Sequence, residues 1–224
     1  MQLGPAEVRF TGRTEGDLGH AGAWVEVHEV DERVAARRRA VVDRPWSWLR
    51  QVHGAEVRVV DGPGKCAGDV GDALVSADPG AVLAVLTADC APIALASEEG
   101  VVGAVHAGWR GLRAGVVDAA VGAMRDLGAT EVVAALGPCV HAECYEFSDA
   151  DLDAVAADLG DGVRGVTAEG RPALDVPAAV RAALDRAGAR LVHDVDVCTA
   201  CSTEHYSHRA RRELERQAVV VWRP

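Results

Sequence analysis

Three short, uninterrupted apolar runs constrain the fold of this chain more than any other feature. They span Ala81–Thr87, Val101–Val105 and Val132–Leu136, and each is rich in residues that favour strands. A strand with one face in water alternates apolar and polar residues, whereas a continuous apolar run is typical of a strand buried on both faces. The sequence therefore predicts buried strands at these three places.

Helical patterns lie between and after the buried strands. The predicted helices are Leu112–Leu127, 149–158 and 177–187, and the further predicted strands are Val57–Val60, Val195–Cys198 and Ala218–Trp222. A second apolar segment runs from Pro92 to Leu95. Strands that alternate with helices indicate a layered α/β (α+β) fold. No linker marks a domain boundary, so we expect a single domain over residues 1–224.

The charge balance limits the partners of the chain. Its 23 basic and 34 acidic residues give a net charge of −11, which repels nucleic acid and anionic lipid. No apolar segment approaches the ~18 residues that a membrane span requires, and the first residues lack the features of a signal peptide. We therefore expect a cytoplasmic protein whose six cysteines are thiols or metal ligands rather than a disulfide scaffold.

Three candidate metal ligands lie at strand ends or in a polar break. Cys90 and His106 each follow an apolar run, and His53 precedes a glycine. Two histidines and one cysteine suit zinc, and three protein ligands leave a fourth position open, as in catalytic zinc sites. The alternative is that Cys90 is a small buried apolar residue and that the histidines are bonded to the backbone.

The segment Gly108-Trp109-Arg110-Gly111 runs from a strand into a helix. Glycines there allow a ligand to approach the backbone, and a helix start attracts an anion. Arg110 can make a two-pronged phosphate contact, and Trp109 can stack on a flat ring. The alternative is a tight turn with Trp109 packed in the core.

Two other cysteine-containing patterns are weaker. Cys198 and Cys201 precede His205 and His208, but the gap between the pairs is far shorter than in zinc fingers, which disfavours a structural zinc with these four ligands. A second group contains Cys139, His141 and Cys144, but its order and spacing differ from those of the nucleobase-deaminase zinc signature. The sequence predicts no role for these cysteines or for His141.

Several blocks in a fixed order resemble those of one protein family. They are Gln51-Val52-His53-Gly54, Asp72-Ala73-Leu74-Val75, Thr87-Ala88-Asp89-Cys90-Ala91-Pro92, Val105-His106-Ala107-Gly108-Trp109-Arg110-Gly111, Gly137-Pro138-Cys139 with Cys144-Tyr145-Glu146, and Cys198-Thr199 before Ser207-His208-Arg209. From about residue 50 to its last residue, the chain resembles the laccase-domain family of YfiH-type proteins, long labelled multicopper polyphenol oxidases.

The resemblance implies a catalytic zinc held by His53, Cys90 and His106, in a layered fold with mixed β-sheets flanked by helices. It also implies phosphorolysis of adenosine, inosine, guanosine or methylthioadenosine, and hydrolytic deamination of adenosine. Asp89, beside a ligand, is a catalytic candidate for orienting a histidine or transferring a proton. The further candidates are Arg110 for catalysis, and Gln51, Trp109 and Arg110 for substrate binding.

The chain departs from the family near its start. The family usually carries Arg-x-Gly-Gly-Val-Ser and a later Asn-Arg, where this chain has Arg13-Thr14-Glu15-Gly16-Asp17 and Ala36-Arg37-Arg38. If this region lines the nucleoside pocket, we expect a substrate preference that differs from that of the family.

Two other functions remain open. A copper oxidase uses the same kind of ligand set, normally with an axial methionine, but the chain has only Met1 and Met124. A metal-stabilised binding or editing factor of peptidoglycan biosynthesis would turn over no nucleoside. For the enzyme we expect purine nucleoside and phosphate as small-molecule substrates, and a monomer or homodimer.

Overall fold

Two mixed six-stranded sheets form the framework of the chain, which a computed structural model describes over residues 1–19 and 31–224. Strands are numbered in chain order. The first sheet has the order β1 (Gln2–Leu3), β2 (Ala6–Phe10), β14 (Gln217–Trp222), β7 (Val82–Thr87), β3 (Trp46–Arg50) and β5 (Asp69–Val70). The second has the order β13 (Ala189–Asp194), β10 (Val132–Leu136), β8 (Ala91–Ala96), β9 (Val102–Ala107), β6 (Ala73–Ser76) and β4 (Val57–Val59). A separate pair joins β11 (Arg164–Val166) and β12 (Pro172–Leu174).

Helices cover the outer faces of both sheets. They are α1 (Glu32–Val41), α2 (Trp109–Ala114), α3 (Val116–Asp126), α4 (Asp149–Leu159), α5 (Val176–Ala187) and α6 (His208–Arg211). Val41 of α1 packs in a cluster on the first sheet, whereas α3, α4 and α5 pack on the second. The predicted α/β class with mixed sheets flanked by helices is therefore confirmed.

The unbroken apolar runs reflect this layering. In β7, Leu83 and Val85 point into the core between the two sheets, whereas Val82 and Ala84 point into the cluster that also contains α1. Successive side chains of a strand point to opposite faces, so a strand in the middle layers needs apolar residues at every position. The three predicted buried strands are present as β7, β9 and β10.

The predicted helix Leu112–Leu127 is divided in two. Gly115 ends α2 and precedes α3 with a φ of 84°, a left-handed conformation that glycine adopts without steric cost. The apolar periodicity continues across this break because both helices pack on the second sheet. The apolar periodicity alone therefore does not reveal the break between α2 and α3.

The predicted strand Val195–Cys198 is wrong, since the strand β13 lies just before it at Ala189–Asp194. The side chain of Asp194 accepts a hydrogen bond from the backbone N–H of Asp196, whose φ is 53°. This local turn ends the strand. Of the predicted segment, Cys198 alone forms an isolated bridge, to Cys139.

The chain crosses repeatedly from the first sheet to the second at one end of the fold. The crossings lead from β3 to β4, from β5 to β6 and from β7 to β8, and they carry His53, Asp72 and Cys90. His106 lies near the end of β9. Among the helices of the described residues, none has both the length and the apolar character of a membrane span.

Candidate functional site

Three side chains from distant parts of the sequence meet where the chain crosses between the sheets. The donor atoms of His53, Cys90 and His106 all lie within 4.8 Å of one another. The Sγ atom of Cys90 is 3.7 Å from Nε2 of His53, and the two imidazole rings meet edge to face with centroids 4.8 Å apart. The structure therefore brings together the three ligands predicted from the sequence.

Asp72 organises this cluster from behind. Its fully buried carboxylate lies 2.8 Å from Nδ1 of His106 and accepts hydrogen bonds from the backbone N–H groups of Val52, His53 and Gly54. A carboxylate on one ring nitrogen of a histidine fixes the ring and leaves the other nitrogen for a metal. The orienting role that the sequence offered to Asp89 is therefore taken by Asp72.

Glycines allow the cluster to pack closely. A Cβ atom on Gly108 would lie 2.7 Å from Cδ2 of His53 and 3.2 Å from Sγ of Cys90. A Cβ atom on Gly111 would lie 2.9 Å from the carbonyl oxygen of Gly54. These two glycines thus bring the start of α2 against the loop that carries His53.

The electrostatics of the cluster favour a cysteine thiolate. Burial acts to raise the pKa of the Cys90 thiol, but His106 and His53 outweigh it and lower that pKa to about 6. Burial acts to lower the pKa of His106, while Cys90 and Asp72 raise it to about 9. A thiolate is the form of cysteine that binds a metal, whereas His106 must release its proton on binding.

A cavity lies beside Cys90 and has aromatic walls. Its lining residues are Asp89, Cys90, Ala107, Gly108, Trp109, Val140, Tyr145 and Val176. The rings of Trp109 and Phe147 meet edge to face at 5.3 Å. Burial is the main factor that raises the pKa of Tyr145 to about 12, so its phenol stays protonated at neutral pH.

Two arginines lie on the aromatic residues of the cavity wall. The guanidinium of Arg110, which is exposed, lies 4.4 Å from the ring centroid of Trp109. The guanidinium of Arg209 lies 4.6 Å from that of Tyr145. Tyr145 and Arg209 were not among the predicted site residues, although both belong to blocks that resemble the family.

Asp89 lines the cavity and also forms hydrogen bonds to the C-terminal part of the chain. Its φ of 97° is unusual for a residue with a side chain. Its carboxylate accepts hydrogen bonds from the Thr199 hydroxyl at 2.7 Å and from the backbone N–H of Arg209 at 2.6 Å. Asp89, next to Cys90 in the chain, therefore connects the candidate metal cluster to the segment that supplies Arg209.

Gln51 and the divergent N-terminal positions lie elsewhere. The amide of Gln51 donates to the carbonyl oxygen of Leu86 and accepts from its N–H, so it links the end of β3 to β7. Arg13 pairs with Glu213, and Arg38 donates to the carbonyl oxygen of Leu18. Among the described residues, none of those that line this cavity precedes Asp89.

The chain is similar throughout to known proteins. The model of the family described as multi-copper polyphenol oxidoreductase laccase matches residues 9–224. A purine nucleoside phosphorylase of Streptomyces coelicolor is 45% identical over 86% of this chain and 81% of that protein. A purine nucleoside phosphorylase of Mycobacterium tuberculosis is 40% identical over 84% of this chain and 77% of that protein.

Solved structures share the fold. A Neisseria meningitidis protein of the DUF152 family has a TM-score of 0.80 and 26% identity, and the match covers 98% of this chain and 95% of that one. YlmD from Geobacillus stearothermophilus has a TM-score of 0.78 and 26% identity, with coverage of 97% and 91%.

Proposed function

The chain belongs to the family of multi-copper polyphenol oxidoreductase laccases, and we propose that it is a zinc-dependent enzyme acting on purine nucleosides. The proposed reactions are phosphorolysis of adenosine, inosine, guanosine or methylthioadenosine and hydrolytic deamination of adenosine. Relatives named purine nucleoside phosphorylase support the substrate class. The observation that carries the proposal is the convergence of His53, Cys90 and His106 beside an aromatic cavity.

The three donors fit zinc. Nitrogen and thiolate sulfur are its usual protein ligands, and three of them leave one position for water or substrate. Asp72 bonded to His106 is the kind of supporting contact that fixes a ligand ring. Zinc bound there would supply Lewis acidity to a substrate atom or to water.

The cavity residues suit a purine and an anion. Trp109 and Tyr145 line the cavity, and aromatic side chains are the usual contacts of a flat ring such as a purine. Arg110 and Arg209 lie on these two rings and place positive charge at the cavity in a chain of net charge −11. A guanidinium binds phosphate in a two-pronged geometry, and we assign the phosphate contact to Arg110.

Both reactions require proton transfers, for which the cavity offers two groups. In phosphorolysis, phosphate bonds to the ribose C1′ as the bond to the purine breaks, and the purine leaves with a proton. In deamination, water replaces the amino group, which leaves as ammonia. We assign hydrogen-bond acceptance from the substrate to Asp89 and donation to the protonated phenol of Tyr145.

The family description names copper, and the same three ligands also suit that metal. Blue-copper centres add a weak axial methionine. Met124 instead lies fully buried in the helical core, and Met1 is an exposed residue at the edge of the first sheet. Zinc is therefore our proposal. Stoichiometric copper with blue absorbance in protein purified without added metal would contradict it. We place the enzyme in the cytoplasm, where thiols stay reduced.

The test is incubation of zinc-loaded protein with adenosine and phosphate, followed by chromatography of adenine, inosine and hypoxanthine. We expect turnover by the native protein and at least a ~100-fold loss in His106→Ala, since each 1.4 kcal/mol of lost stabilisation costs tenfold. The matched control is His193→Ala, which removes an exposed histidine of β13 and should retain full activity. No turnover by native, fully loaded protein would favour the binding factor of peptidoglycan biosynthesis instead.

A further inference from the structure

Three cysteines that have no part in the proposed reaction lie together in a second cluster. Cys144 ends the short 3-10 turn Ala142–Cys144, and Cys198 and Cys201 follow β13. The sulfur atoms of Cys144 and Cys201 are 3.3 Å apart although the residues are separated by 57 positions. Glu143 contributes a carboxylate oxygen 3.7 Å from the Cys201 sulfur. The four donor atoms all lie within 4.8 Å of one another.

A backbone N–H group contacts the sulfur atom of Cys198. This sulfur accepts a hydrogen bond from the N–H of His141 at 3.4 Å. Hydrogen bonds to an ionised group are stronger than those to a neutral one, so this N–H would support a Cys198 thiolate once a metal is bound. Cysteine binds metal as thiolate.

We propose that Cys144, Cys198, Cys201 and Glu143 form a second metal site, which binds one zinc ion. Two of the thiols have the Cys-x2-Cys spacing common in structural zinc sites. Zn–S bonds of ~2.3 Å in a tetrahedron place sulfur atoms ~3.8 Å apart, close to the separations in this cluster. A disulfide would use one pair and leave the third thiol and the carboxylate without a function.

Four protein ligands leave no coordination position for a substrate, which is the mark of a structural zinc site. His141 adjoins the group, because its backbone N–H donates to the Cys198 sulfur and its Nδ1 lies 3.9 Å from the Glu143 carboxylate. These ligands differ from the four residues of the sequence pattern, Cys198, Cys201, His205 and His208, because the two histidines do not belong to the cluster. His205 instead shares a hydrogen bond of 2.9 Å with Ser202.

This zinc would hold together the two loops that form one side of the cavity. Cys144 immediately precedes Tyr145, which lines the cavity. Cys198 immediately precedes Thr199, whose hydroxyl donates to Asp89. A cross-link between these loops would therefore fix the positions of Tyr145 and Asp89 without contact between the metal and the substrate.

The test is the zinc content of purified protein by mass spectrometry, in a Cys90→Ser background that disables the first cluster. We expect one zinc per chain in Cys90→Ser and none in Cys90→Ser/Cys201→Ser. The matched control is Cys90→Ser/Cys66→Ser, which removes a partly exposed cysteine outside both clusters and should retain one zinc. In the same Cys90→Ser background, cobalt in place of zinc should give thiolate-to-metal charge-transfer absorbance. This absorbance should disappear when Cys201→Ser is added.

Equal zinc content in Cys90→Ser and Cys90→Ser/Cys201→Ser would overturn the proposal, as would a Cys144–Cys201 disulfide in metal-free protein purified under reducing conditions. If Cys201→Ser does not fold, Glu143→Gln at an exposed position serves instead and should weaken zinc binding about tenfold or more. The outcome is independent of the proposed function, because zinc confined to His53, Cys90 and His106 would be absent from the Cys90→Ser background.

Discussion

Asp72 illustrates how one residue can determine the geometry of a site without belonging to it. It bonds to the ring of His106 and to three successive backbone N–H groups around His53. Burial acts to raise the pKa of its carboxyl, but His106 and the N–H groups of Gly54 and His53 hold the pKa below its ordinary value. Asp72 is thus a charged carboxylate that positions two candidate metal ligands, His106 and His53.

At this scale we predict that Asp72→Asn weakens zinc binding about 10- to 100-fold. The asparagine oxygen can still accept from the loop, but its NH₂ group would donate to Nδ1 of His106. The proton of the ring would then reside on Nε2, the nitrogen that must bind the metal. Zinc affinity measured by competition with a chelating dye checks this expectation.

The control for this prediction is Asp78→Asn. Asp78 accepts the N–H of Gly80 in a local turn and has no contact with the cluster, so its variant should bind zinc normally. Unchanged affinity in Asp72→Asn would mean that the carboxylate does not select the His106 tautomer.

At the scale of elements, the junction between β9 and α2 supplies both a ligand and the space around it. His106 lies in β9, and α2 begins two residues after that strand ends. The intervening Gly108 has no room for a side chain, because a Cβ atom would meet His53 and Cys90. The sequence predicted that glycines in this segment allow a ligand to approach the backbone, and Gly108 does line the cavity. The structure adds a packing role for this glycine.

Gly108→Ala should therefore disturb the metal cluster. Overpacking at such a site costs about 1–3 kcal/mol, and displacement of His53 or Cys90 should weaken zinc binding. Thermal unfolding and zinc titration together check this prediction.

The matched control is Gly122→Ala in the middle of α3, where a Cβ atom meets nothing within 4 Å. There the substitution should stabilise the protein by about 0.5–1 kcal/mol, because alanine favours the helix and restricts the unfolded chain. Zinc binding equal to native in Gly108→Ala would contradict the close packing of this junction.

At the scale of the whole molecule, the cluster of His53, Cys90 and His106 lies where the chain passes from one sheet to the other. His53 and Cys90 belong to crossings between the sheets, and His106 belongs to the second sheet. A metal bound there would connect segments that are far apart in the unfolded chain. A ligand that binds the folded state alone stabilises it.

Zinc should consequently raise the melting temperature of Cys201→Ser, a variant in which the first cluster alone remains complete. A free concentration 100-fold above the dissociation constant contributes about 2.7 kcal/mol, which corresponds to about 5–10 °C for a chain of this size. Cys90→Ser/Cys201→Ser should melt at one temperature with zinc or with a chelator. The prediction fails if zinc leaves the melting curve of Cys201→Ser unmoved.

The sequence by itself determined the elements whose residues carry local signals. The apolar runs of β7, β9 and β10 predicted buried strands, because a strand covered on both faces needs no polar side chain. His53, Cys90 and His106 were predicted as ligands from their residue types and strand-end positions, together with the family resemblance. Such signals lie within a few neighbouring residues, so they can be recognised without knowing which strand lies alongside.

Only the tertiary structure decided which distant residues meet. Asp72 rather than Asp89 bonds to His106, and Glu143 and Cys144 rather than the two later histidines join Cys198 and Cys201. These pairings depend on how the chain crosses between two sheets. The spacing of residues in the sequence does not predict these crossings, because contacts between residues far apart in the chain are set by the packing of whole layers.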